Sequence, residues 1–188
     1  MKVWIVRHGE SETNLAGLWT GWLDVQLTDK GREDAAKAGK LLAGTAFDKI
    51  YASDLARARS TAEIAVPGRQ YETSPMLREV NVGNIAGKPL SMLTDEQRQD
   101  AAQHGYVQFE GESSEEFEQR VFDFLRGLER SGHENVALFA HAGWLRRALK
   151  FAVGVALPNK HVCCNNCTVA VLEYTGELWR LHSWINLD

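Results

Sequence analysis

Cysteine, long apolar runs and an excess of basic charge are all missing or scarce in this chain, and each shortage removes a class of protein. Only three cysteines occur among 188 residues, Cys163, Cys164 and Cys167, crowded into one stretch. An odd number so placed does not make a disulfide framework and reads as free thiols. A zinc site on Cys164, Cys167 and His161 would need a second ligand pair elsewhere, and none stands out. No apolar stretch approaches the roughly 18 residues of a membrane-spanning helix. The opening VWIV run ends at once in Arg7 and His8, too short for the apolar core of a secretion leader, so a cytoplasmic location is expected and the Asn166-Cys167-Thr168 sequon carries no meaning. The formal net charge of −4 gives no global field to attract nucleic acid or an anionic membrane. Internal repeats, low-complexity tracts and linkers are absent as well, so the chain stays undivided.

What is present is an alternation of strand-like and helix-like segments, with 44% hydrophobic residues to fill a core. Residues 2–7, KVWIVR, form a continuous apolar run suited to a strand buried on both faces. Thr28 caps a helix carrying Ala35, Ala38, Leu41 and Leu42 on one side and ending near Gly44. A strand follows over 49–52. Ser53 and Asp54 then offer cap chemistry for a helix that ends at Pro67 and Gly68. After a brief strand over 70–73, residues 78–112 are rich in Gly, Asn, Asp and Gln, with at most one short helix near 90–102, and such excursions are usually functional. Ser113 opens a helix on the stripe Phe117, Val121, Phe124, Leu125 and Leu128. NVALFA over 135–140 is a buried strand, 143–153 a helix, and 167–174 with 178–185 a hairpin turning at Thr175 and Gly176. The fold class that results is α/β: a three-layer α/β/α sandwich whose central sheet is mostly parallel, with an antiparallel edge.

In such sheets the ligand crevice lies beyond the carboxyl ends of the strands. Those ends carry Arg7 and His8, Ser53 and Asp54 leading to Arg57, and His141 followed by Ala142 and Gly143. Taken singly, a histidine at a strand end is more often a structural residue and an arginine a solvated charge. Together, each beside a glycine or a helix start, they suit an anion, because helix N-termini and closely approaching backbone bind phosphate. Guanidinium groups beside His8 would also keep its imidazole neutral and able to attack.

RHGESETN at 7–14 resembles the signature of the histidine phosphatase superfamily, which includes phosphoglycerate mutases, fructose-2,6-bisphosphatases and α-ribazole phosphatases. The likeness continues in order through TGWLDVQLTDKG at 20–31, SDLARARSTA at 53–62, LREVNVGNIAG at 77–87, GESSEEFEQR at 111–120 and AHAGWLRRAL at 140–149. It treats residues 1–188 as one histidine phosphatase domain with a phosphoglycerate mutase-like fold. Matched motif by motif, it implies that His8 is the nucleophile that becomes phosphohistidine and Glu79 the proton donor. Arg7, Asn14, Arg57 and His141 would hold the phosphoryl oxygens, while Thr20, Gly21 and the backbone of Ala142 and Gly143 would line the substrate pocket. No metal and no cofactor are implied, and the partner is a small-molecule phosphate monoester.

Asn81, Asn84 and Ala86 stand where many members carry acidic or bulkier groups, a departure that bears on substrate choice. Mutases of the family carry a longer central insertion than residues 88–110 provide, which favours a phosphatase, with HAGWLRRAL and GESSEEFEQR resembling the α-ribazole phosphatase branch. The alternatives are a cofactor-dependent phosphoglycerate mutase, a catalytically inactive binding module on the same fold, and a metallohydrolase on His8 and His141. Trp19 and Trp22 flank the pocket loop and could touch substrate or simply pack. Trp4, Trp144, Trp179 and Trp184 read as core or edge aromatics, and His104, His133, His161 and His182 as surface or structural residues.

Overall fold

The structure, a computed structural model, describes residues 1–156 and 161–187. Its elements run β1 (Lys2–Arg7), α1 (Glu12–Leu15), α2 (Asp29–Leu42), β2 (Lys49–Ser53), α3 (Ala56–Ala65), β3 (Glu72–Ser74), α4 (Asp95–His104), α5 (Ser114–Glu129), β4 (Asn135–Ala140), α6 (Ala142–Val153), β5 (Val169–Tyr174) and β6 (Trp179–Ile185). The strands make one six-stranded sheet in the order β3-β2-β4-β1-β5-β6. The first four in that order pair parallel, and β5 and β6 add the antiparallel edge. This is the three-layer α/β sandwich expected from the sequence.

Successive side chains of a strand point to opposite faces, and here both faces are covered. Val3, Ile5, Val136, Leu138, Ala170 and Leu172 pack under α5 and α6. The alternate positions Val6, Ala137, Phe139, Val169 and Val171 pack under α2 and α3. The continuous apolar runs of β1 and β4 therefore reflect burial on two sides, as an inner parallel strand requires.

The starts of α2 and α5 follow local chemistry, whereas α3 and α6 have no side-chain cap. Thr28 Oγ1 accepts from Gly31 N at 3.0 Å, and Ser113 and Glu116 close a capping box at the head of α5. The expectation that Ser53 and Asp54 cap α3 is corrected: its N-cap is Leu55, with no side-chain cap of its own. Asp54 is drawn away into a bidentate pair with Arg78. The Ala56 N–H is instead met at 2.6 Å by Asp24 Oδ1, from the loop after α1. The expected strand over 70–73 shifts to Glu72–Ser74, the residues that reach β2.

The excursion between β3 and α5 holds α4, capped by Thr94 and Gln97, and several single turns of 3₁₀ helix. It has a small apolar centre of its own, Val82, Ile85 and Leu93, against which Trp19 and Tyr106 pack edge to face at 5.7 Å.

The loop leaving β1 is pinned by backbone against backbone. A Cβ on Gly9 would sit 2.2 Å from the Gly31 carbonyl oxygen, and one on Gly31 would sit 2.0 Å from that of Glu10. No side chain fits between these segments. Gly31→Ala is expected to lower stability by roughly 1–3 kcal/mol, the usual range for overpacking a fixed site. An unchanged urea midpoint would contradict this account.

Candidate active site

Parallel pairing brings the chemistry-bearing strand ends to one edge of the sheet. Arg7 stands opposite Ala140 in the β1–β4 register, and the His8 N–H donates to the Ala140 carbonyl at 3.0 Å. The next residue on β4 is His141, the N-cap of α6. Register alone therefore sets the two imidazoles side by side, with ring centroids 5.1 Å apart.

The tautomer of His8 is fixed from both ends. Nδ1 lies 2.7 Å from the Gly9 carbonyl oxygen, which can only accept, so Nδ1 carries the hydrogen. Nε2 is met at 3.2 Å by Nε of Arg57, which can only donate, so Nε2 holds a lone pair. His8 is neutral, with its Nε2 lone pair accepting from the guanidinium.

Arg57 is completely buried. Its Nη1 and Nη2 donate to the carbonyls of Leu23 at 2.8 Å and Gly21 at 2.9 Å, so the pocket loop seats the arginine. Burial depresses its pKa to about 10, which still leaves it cationic at neutral pH. Burial lowers the pKa of Arg7 too; its Nη1 is tied to the Cys164 carbonyl, and its buried Nε has no partner among the described residues.

His141 is fully buried, and neither ring nitrogen has a partner among the described residues. A buried polar group without a partner is costly, and this ring lies beside that of His8, on which Arg57 and Arg7 both act. An oxyanion between the histidines could accept from whichever of the two carries the hydrogen.

Glu79 reaches the same place from the excursion. Its Oε2 accepts from the Gly143 N–H and its Oε1 from the Val80 N–H, each at 3.0 Å. Position 143 has to be glycine for this, since a Cβ there would lie 2.3 Å from Glu79 Oε1. The Gly143 backbone thus meets the carboxyl directly. Ala142 is the first residue of α6.

Asn14 lies in α1, where its Oδ1 accepts from the Ser11 N–H and from Asn166 Nδ2, both at 3.2 Å. The Thr20 hydroxyl bonds to Thr13 at 2.7 Å, and Gly21 contributes its carbonyl to Arg57. Of the residues expected at the site, His8, Arg57 and Gly21 are joined by hydrogen bonds, His8 and His141 stand ring beside ring, Glu79 meets Gly143, and Asn14 reaches the His8 carbonyl through Asn166. Trp22 is 38% exposed and donates from Nε1 to the Glu79 carbonyl at 2.7 Å, while Trp19 packs into the excursion.

Two supporting residues escaped the sequence. Asn166 also donates from Nδ2 to the His8 carbonyl at 3.2 Å, and Thr61 accepts from the Gly9 N–H at 3.0 Å while donating to the Arg57 carbonyl at 2.7 Å. Asn166 sits among the cysteines, outside the motifs, and Thr61, though within SDLARARSTA, reads as one more residue of α3. Burial pushes the Cys164 thiol up and that of Cys167 to about 12, so both are poor nucleophiles. Among the described residues no group of three or more His, Cys, Asp or Glu is placed to hold a metal ion, and no helix is long and apolar enough to cross a membrane.

Comparison with known proteins supplies the decisive observation. The family description "Histidine phosphatase superfamily (branch 1)" matches residues 3–187. The chain belongs to that superfamily. Among its relatives is an adenosylcobalamin/alpha-ribazole phosphatase of Salmonella typhimurium, 34% identical over 153 residues, covering 77% of this chain and 76% of the relative. A probable phosphoglycerate mutase of Erwinia tasmaniensis is 28% identical over 98% of this chain and 90% of its own. The crystal structure of a putative alpha-ribazole-5'-P phosphatase from Escherichia coli superposes with a TM-score of 0.85 at 25% identity, over 100% of this chain and 99% of the other. Superfamily membership agrees with the sequence motifs, and the phosphatase and mutase names among the relatives match the two enzymatic readings drawn from them.

The electrostatics give a pH dependence. Both imidazoles are pushed well below the ordinary value of about 6.5, by burial first and then by Arg57; Arg7 adds to this for both. A histidine of depressed pKa contributes stability that is present above its unfolded pKa and is lost as pH falls, because only the unfolded chain takes the proton at about pH 6.5. The imidazole resonances of His8 and His141 should show no titration near pH 6.5 in the folded protein, and stability should decline below it. An ordinary titration of either ring near that pH, followed by NMR, would disprove this picture.

Proposed function

We propose that this chain is a phosphatase that hydrolyses small-molecule phosphate monoesters without a metal, through a phosphohistidine on His8, and that residues 1–188 act as one catalytic domain. The observation that carries the reading is the state of His8: neutral, with its Nε2 lone pair beside the Arg57 guanidinium and across from a histidine with unpartnered nitrogens. In the first half-reaction Nε2 attacks phosphorus, the bond to the ester oxygen breaks, and a proton from Glu79 passes to that oxygen so that an alcohol leaves. In the second, water gives a proton to the Glu79 carboxylate and attacks the phosphohistidine, releasing phosphate and neutral His8. Arg7, Arg57, Asn14 and His141 hold the phosphoryl oxygens as charge builds on them, the task often given to Mg²⁺ in phosphoryl transfer. Thr20, Gly21, Ala142 and Gly143 frame the pocket, and the hydrogen bond to the Glu79 carboxyl from Gly143, two residues past His141, supports its role as the acid. Three free thiols fit a reducing cytoplasm.

A phosphoglycerate mutase remains the second reading, favoured by the full-length likeness to the Erwinia protein. Comparing inorganic phosphate release with phosphate transfer across a panel of 3-phosphoglycerate, sugar bisphosphates, α-ribazole phosphate and nucleotides separates the two. Hydrolysis of an aryl phosphate should survive excess EDTA; loss on chelation with recovery on one added divalent ion would defeat the metal-free reading. Acid-quenched mass spectrometry should place the phosphoryl group on His8. His8→Ala should abolish that label and lower turnover by at least ~10³-fold, whereas His141→Ala should still label at a reduced rate. Label on His141, or undiminished label in the His8 variant, would overturn the assignment.

A further inference from the structure

The Glu79 carboxyl stands on a segment with little regular structure to hold it. Residues 78–82 lie between two single turns of 3₁₀ helix and belong to no strand. Their backbone is gripped instead by one arginine. Arg120, in the second turn of α5, donates from Nη1 to the carbonyls of Met76 at 2.9 Å and Arg78 at 2.8 Å, and from Nη2 to that of Glu79 at 3.2 Å. Its remaining N–H groups make a fork onto Glu112, Nε to Oε1 at 3.0 Å and Nη2 to Oε2 at 2.8 Å. All five guanidinium hydrogens are thereby used. Glu112 completes the clasp: its Oε2 accepts from the Asn81 N–H at 3.1 Å, and its own N–H donates to the Asn81 carbonyl at 2.8 Å. The pair is largely buried, with the two side chains 16% and 12% exposed.

We propose that Arg120 and Glu112 are positioning residues that aim Glu79 at the leaving oxygen, and that they act on catalysis through Glu79 alone. A buried ion pair is weak evidence of net stability, since desolvation offsets much of its attraction. What this one supplies is geometry. A planar fork contacts three carbonyls on one side and a carboxylate on the other, flanking the acid's own residue, and the Glu79 carbonyl is held a second time by Trp22 Nε1. Lysine would keep the charge, including its action on His141, yet cannot reproduce a fork. A misplacement near 1 Å can cost about 10²-fold in rate.

The inference rests on the reading of Glu79 as the acid, and the experiment separates failure of the one from failure of the other. Wild type, Arg120→Lys, Glu79→Gln and the double variant are each measured with glycerol phosphate, a poor leaving group, and for phosphoenzyme formation from p-nitrophenyl phosphate, a good one. Arg120→Lys should lower kcat for glycerol phosphate by about 10²-fold with little change in KM, while labelling of His8 by the aryl ester falls by less than about 3-fold, because a good leaving group departs without a proton. Added to Glu79→Gln, it should cost nothing further. If Arg120→Lys harms both substrates equally, or its loss multiplies with that of Glu79→Gln, the positioning role is overturned while the acid role stands. If Glu79→Gln itself harms both substrates equally, the acid role fails and the positioning role fails with it. Should Arg120→Lys not purify folded, Glu112→Gln, which retains an acceptor oxygen, is judged by the same criteria.

Discussion

The hydrogen bond from His8 to the carbonyl of Ala140 is one rung of a parallel ladder, yet the whole site hangs on it. It continues the pairing of β1 and β4 one residue past Arg7, so the two imidazoles emerge from adjacent strands at the same level. A slip of one residue between these strands would send every core side chain of one strand to the wrong face. The apolar alternation that fills the two layers of the core therefore also fixes the spacing of the histidines. Packing energy far from the chemistry is what holds a distance at the chemistry.

That arrangement concentrates positive charge where water has been removed. Arg57 has no exposure and, among the described residues, no carboxylate in contact; carbonyl dipoles and the lone pair of His8 satisfy it. Burying a guanidinium in this way is unfavourable, and the depressed values of Arg7, Arg57, His8 and His141 all express that strain. The fold tolerates it because the strands beneath are buried on both faces and the flanking loops are locked by backbone contact at Gly9 and Gly31. An anion bound beside these groups would offset the same charge.

The layers of the fold were legible because they rest on local, periodic signals: apolar runs for β1 and β4, a threonine cap for α2, a capping box for α5. The meeting of His8 and His141 was legible because both follow strand ends that pair in register. What the sequence hid is chemistry across long separations. Asp24 takes the helix-end N–H that Ser53 and Asp54 were expected to satisfy, because Arg78 occupies Asp54. Asn166 meets the His8 carbonyl across a gap of 158 residues. Arg120 was visible within GESSEEFEQR as one more charge on a polar helix, and only the folded backbone reveals that its acceptors lie some 40 residues away. Propensity and spacing report neighbours along the chain; they are silent on which carbonyl a distant side chain will find.

The Asp24 contact has a consequence for how the molecule comes into being. Leu55 offers the helix carrying Arg57 no side-chain cap, and its first N–H, that of Ala56, is met by a carboxylate 32 positions upstream. The same loop supplies the carbonyls that seat Arg57. Helix start, loop and guanidinium therefore lock together as one event, after the nonlocal contact has met its loop-closure entropy. During refolding, affinity for phosphate should be acquired late and all at once, and by mass action a bound anion draws the last step toward completion. Inorganic phosphate, the product of the proposed reaction, would thus act on the chain as a folding ligand.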